Sequence, residues 1–99
     1  SKSHWGGYSK MKREHTEMVA WLAKSLPRME KINITMTWYC RNKRKDKDNI
    51  TSGQKFIFDG LVKAGVIDGD GWKHIGDITH RFEIDRDNPR VELEIQEVG

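Results

Sequence analysis

The stretch "RNKRKDKDNI", residues 41–50, sets five basic side chains (Arg41, Lys43, Arg44, Lys45, Lys47) around two aspartates, Asp46 and Asp48. A patch that only held an anion would gain nothing from carboxylates at its centre. If the backbone is extended there, residues i and i+2 project to one side, with Cα atoms roughly 6.5–7 Å apart. Two carboxylates so placed reach one hard cation, Mg²⁺ or Mn²⁺, and the cation relieves their mutual repulsion. The surrounding Lys and Arg would bring phosphate to it. The plain alternative for an Asp-X-Asp pair is a solvated, turn-forming loop.

Charge is distributed in keeping with a polyanion partner. The net charge of +3 conceals an asymmetry: residues 1–45 carry eleven Lys/Arg against three Asp/Glu, net +8. Residues 46–99 carry seven against twelve, net −5. The basic half suits nucleic acid, whereas the acidic half does not unless its carboxylates hold cations. With 99 residues, 35% of them hydrophobic, the chain is read as one globular domain, residues 1–99, with a modest core. The lone cysteine, Cys40, excludes an intramolecular disulfide and fits a reducing cytoplasm. No segment approaches the length of a membrane span and no signal-peptide pattern opens the chain, so no membrane partner is expected.

The elements that must position these groups follow from periodicity. Residues 1–9 read as loop. Met11, Met18, Leu22 and Leu26 recur at helical spacing, widened by Val19 and Trp21, and Pro27 ends that helix. "INITMTWYC", residues 32–40, alternates Ile32, Ile34, Met36, Trp38 and Cys40 against polar neighbours, as a half-buried strand does. Thr51 with Gln54 makes a capping-box pattern opening a helix that runs to Ala64, with Gly65 as its left-handed terminator. Asp68–Gly71 is a turn. Ile78, His80, Phe82 and Ile84 alternate, as do Val91, Leu93 and Ile95, and the two runs predict a hairpin turning at residues 85–89. The expected architecture is α+β: a small mixed sheet, mostly antiparallel, with two helices on one face.

The wider segment "KRKDKDNITSGQKFIFDGLVKAGVIDGD", residues 43–70, resembles the signature of the RusA family of Holliday-junction resolvases, and the closing "WKHIGDITHRFEIDRDNPRVELEIQEVG" is similar to that family's last strands. The resemblance implies a phage- or prophage-type homodimer with a RusA-like fold, a Mg²⁺-dependent endonuclease that nicks opposed strands of a four-way DNA junction. It further implies metal binding by Asp46, Asp48 and a third carboxylate, Asp70, and a catalytic role for Lys55. Two departures stand out. Five residues, Ile50 to Gln54, separate the Asp-Asn pair from Lys55 where members usually have two. The extra three turn a helix by about 300°, so Lys55 keeps its facing if the helix simply starts earlier. If they bulge, Lys47 is the substitute. The family's opening strand is also expected to be missing.

Geometry limits Asp70 separately. A helix over residues 51–64 is about 21 Å long, and the six residues after it span at most roughly 20 Å. Asp70 therefore returns to Asp46 and Asp48 only by a nearly straight path, or the site is shared across a dimer; one subunit is the reading taken.

Beside the catalytic reading of Lys55 stands an ion pair with Asp59, one turn on. Arg41, Lys43, Arg44, Lys45 and Lys47 are assigned to DNA backbone contact. Trp72 either stacks on a base or covers the core, and Asp68 is a supporting carboxylate or turn chemistry. His74 and His80 lack companion spacing for zinc and read as ordinary positions. The alternative to an enzyme is a non-catalytic module, derived from a resolvase, that binds branched DNA.

Overall fold

Alternation over residues 32–40 produces the strand on which the rest is hung. The computed structural model describes residues 4–7 and 12–99, with side chains from Thr16 onward. Its elements run β1 (His4–Gly7), α1 (Lys12–Ala23), β2 (Ile32–Cys40), α2 (Lys47–Thr51), α3 (Gln54–Lys63), β3 (Ile75–Ile84) and β4 (Arg90–Glu97). The sheet order is β1-β4-β2-β3. β2 pairs in parallel with β3 and antiparallel with β4, and β1 pairs antiparallel with β4. The protein is thus a small α+β fold with a mixed sheet.

One face of β2 supplies the core. Ile32, Ile34, Met36 and Trp38 are buried, as are Leu93 and Ile95 of β4, while the alternate residues of β2 are half-buried. Val19 and Ala23 of α1 and Ile57, Phe58 and Leu61 of α3 complete this cluster, so the two longer helices cover the same sheet face. The opposite face is polar, with Thr35, Thr37 and Tyr39 aligned with Glu94, Glu92 and Arg90.

Several expectations are corrected. β3 and β4 are not a hairpin, because β2 lies between them. The chain leaving β3 crosses the end of β2, where the Asp85 N–H bonds the Cys40 carbonyl at 2.8 Å. Two strand spacings are about 10 Å, which a five-residue connection spans with ease. Asp85 shapes that connection by accepting from the N–H groups of Asp87 (3.2 Å) and Asn88 (3.1 Å) and from Arg90 Nη1 (2.8 Å). A strand, β1, precedes the first helix, in place of the loop read over residues 1–9. Alternation cannot reveal it in four residues reading "HWGG". The helix expected from Met11 to Leu26 ends at Ala23, and Met11 lies outside the described residues. Trp21 does not widen its apolar stripe: it is 66% exposed, with the Lys24 ammonium 3.5 Å over its ring.

Gly65 ends α3 as expected, with φ +79°. Its N–H bonds the Val62 carbonyl (3.0 Å) and the Val66 N–H bonds that of Leu61 (3.0 Å), the paired closure of a Schellman motif. Gly60 has a different reason to be glycine. A Cβ there would lie 2.5 Å from Val19 Cβ and 3.0 Å from the Thr16 carbonyl oxygen, so it sets how closely α1 and α3 approach. Gly60→Ala should therefore destabilise by about 1–3 kcal/mol despite alanine's better helix propensity. Urea unfolding of the two proteins measures this, and an unchanged midpoint would contradict the close approach.

Candidate active site

The charged stretch begins where β2 ends. Residues 41–49 are all exposed. Among the described residues Arg41, Lys43, Arg44 and Lys45 form no ion pair, and Lys47 places its ammonium 5.0 Å over the Phe82 ring. The tract is thus a concentration of uncompensated positive charge beside two carboxylates.

The helix starts earlier than the capping box suggested. Asp46 is the N-cap of α2, in extended conformation (φ −70°, ψ 153°), and its carbonyl accepts from the Ile50 N–H at 3.1 Å. Asp48 already lies in the first turn. The extended run that would have aligned both side chains on one edge therefore stops at Asp46. A carboxylate in the first turn also complements the positive helix N-terminus, which gives Asp48 structural employment of its own. Thr51 caps nothing: its hydroxyl donates to the Asp48 carbonyl at 3.2 Å, and the N-cap of α3 is Gly53.

Ser52 and Gly53 keep right-handed helical angles, with three-residue bonds from Gly53 N–H to the Ile50 carbonyl (3.3 Å) and from Phe56 N–H to the Gly53 carbonyl (3.1 Å). α2 thus runs into α3 through a tight 3₁₀ joint. Over a near-continuous helix, the seven positions from Asp48 to Lys55 are about two turns and about 10 Å of rise. The earlier start puts the residues between Asp48 and Lys55 on a helical path and not in a bulge.

Lys55 is the meeting point. Its Nζ lies 3.1 Å from an Asp59 oxygen and 3.6 Å from an Asp70 oxygen, all three side chains being substantially exposed. The hydrogen bond with Asp59, then the charges of Asp59 and Asp70, hold the Lys55 ammonium above its ordinary pKa. The ion pair with Asp59 read from the one-turn spacing is present, and Asp70 joins it from the loop after α3. The chain does double back from Gly65, as far as Lys55.

Mg²⁺ is commonly held by one or two carboxylates together with substrate phosphate oxygens and water, without an all-protein cage. Asp46 and Asp48 leave carboxylate oxygens open to a site of that kind. Both are exposed, Asp46 makes no side-chain capping bond, and Asp48 commits one oxygen to the Asn49 N–H at 2.9 Å. A closed set with Asp70 is not assembled: among the described residues no three His, Cys, Asp or Glu side chains are gathered to hold a metal ion.

Other readings resolve individually. Asp68 pairs with Arg28, which ties the loop after α3 to the segment after α1. The His74 Nδ1–H donates to the Glu30 carbonyl at 2.8 Å, an ordinary tether. Trp72 is 96% exposed, so it does not cover the core. Sequence reasoning missed a relay that fixes the start of α3. Trp38 Nε1–H donates to His80 Nδ1 at 3.0 Å, and His80 Nε2 lies 3.1 Å from Gln54 Oε1. An indole N–H can only donate, so Nδ1 accepts, and Nε2 carries the proton and donates to Gln54. The available signal was a histidine on an otherwise apolar face, between Ile78 and Phe82.

Burial pushes the His80 pKa below its ordinary 6.5. The fold favours the neutral ring, so as pH falls through 6.5 the unfolded chain takes up the proton first and stability declines. An NMR titration should put the His80 midpoint below 6.5, and His80→Gln should flatten that part of the stability–pH profile. A midpoint at or above 6.5 would sink the relay.

No helix among the described residues is long and apolar enough to cross a membrane. No protein-family model matches the chain, and no curated protein matches it either.

Proposed function

We propose that the chain is a Mg²⁺-dependent endodeoxyribonuclease of the RusA kind, which resolves four-way DNA junctions by paired nicks in recombination and repair. The observation that carries this reading is the position of Lys55. It sits in reach of Asp70 and Asp59, about two helical turns from Asp48, on the run that continues the uncompensated cationic tract.

Each group then has a task. Arg41, Lys43, Arg44, Lys45 and Lys47 bind the phosphate backbone without reading bases. Asp46 and Asp48 would hold Mg²⁺, or Mn²⁺, which when bound supplies Lewis-acid polarisation of the scissile phosphate. Lys55 exchanges a carboxylate partner for a phosphate oxygen and neutralises the charge that grows there during cleavage. That exchange releases Asp70 from Lys55. Cutting two opposed strands calls for two such sites, which a homodimer supplies. A reducing cytoplasm is the setting in which the single Cys40 persists as a thiol.

One observation favours a second reading, a non-catalytic module that binds branched DNA: Asp70 is engaged with Lys55 and the three carboxylates are not gathered.

A synthetic four-way junction separates the two. With Mg²⁺ the parent should nick it, whereas Asp48→Asn should lose about 100-fold or more in rate and bind within about threefold of the parent. Lys55→Gln should slow cleavage by about 10²–10³ with little effect on affinity. Binding by all three proteins with cleavage by none establishes the module instead.

Trp72→Ala should leave stability unchanged yet cost about 1–3 kcal/mol of DNA affinity through lost base stacking. Unaltered affinity would remove Trp72 from the interface.

A further inference from the structure

On the helix-covered side of the sheet, α1, the α2–α3 joint and the ends of β2 and β4 border an open cavity of about 630 Å³, within the roughly 300–1,000 Å³ common for ligand pockets. Val19, Trp38, Phe56, Ile57 and Val91 form its apolar floor. Arg41, Arg44 and Lys45 stand on its rim, and among the described residues no Asp or Glu lines it. Arg90 also borders the space, but its guanidinium is occupied by Asp85 and Glu92 and lies 3.8 Å over the Tyr39 ring. Asn49 adds a side-chain amide with no hydrogen bond among the described residues.

This combination selects a class of occupant. An inorganic anion would satisfy the rim and leave the floor against water, which is unfavourable for so much apolar surface. A purely apolar ligand would desolvate the cations without pairing them. A flat heterocycle joined to a phosphate meets both demands, with an amide at hand for the polar edge of its ring. Resting on the DNA reading above, we propose that the cavity receives one nucleotide lifted out of the stack at the DNA branch. The base lies among Trp38, Phe56 and Val91, its phosphates against Arg41, Arg44 and Lys45, and Asn49 meets its edge. Extrusion costs least where pairing is already interrupted, so the same contact favours a branch over an intact duplex.

The test places 2-aminopurine, whose emission rises when it leaves the stack, at successive positions around the branch of a four-way junction. The protein is added without divalent metal. One position should brighten several-fold on binding. Ser52→Phe, at an exposed residue lining the cavity, should suppress the brightening and hold junction affinity within about threefold. Asn49→Ala should reduce it as well, with thermal unfolding of both variants confirming the fold. A junction that is bound with no position brightening, or brightening equal in both variants and parent, overturns the nucleotide pocket alone. Failure to bind the junction at all overturns the DNA reading and this proposal together.

Discussion

The double pairing of β2 is the constraint from which the rest follows. Its residues bond to β3 on one side and β4 on the other, and one of its faces is buried. A parallel neighbour cannot be reached by a tight turn; the chain must leave the sheet, cross it and come back. α2 and α3 are that crossing. The charged stretch is its first step, which is why cations and carboxylates meet at the C-terminal end of a buried strand. Parallel strands generally present binding groups at that end, and here the arrangement follows from connectivity alone.

Legibility in the sequence tracked the range of the interaction that decides each element. β2 was plain because alternation is local and five apolar residues in register leave no other choice. Gly65 was equally plain, since only a residue at ease with positive φ closes a helix in that way. The hairpin failed because two alternating strands joined by a turn look the same whether they pair with each other or both with a third. What decides is β2, more than forty positions away from β3 (Ile32 with Ile75). The capping box failed for a related reason: Asp46 offered an earlier start, and helical angles at Ser52 and Gly53 carried the chain through.

At the site, residue types and the local partner of Lys55 were readable, and the partners brought in by the fold were not. The one-turn spacing indicated Lys55 with Asp59, but the arrival of Asp70 depends on the reversal at Gly65 and on the Arg28–Asp68 pair that anchors the returning loop. The Gln54–His80–Trp38 relay lay out of view because it joins α3 to two strands by side chains alone. It matters to the site through position: Gln54 precedes Lys55, so a neutral imidazole beneath the sheet edge holds the turn from which the ammonium projects.

The absence of a β3–β4 hairpin also bears on how the chain reaches its native state. Among β2, β3 and β4 no paired strands are joined by a tight turn. Ile32 meets Ile75 across 43 positions, and Ile34 meets Ile95 across 61. Loop closure must come before those ladders return any enthalpy. Long-range pairing of this kind, with a parallel pair in it, makes folding intrinsically slower than for a fold built from hairpins.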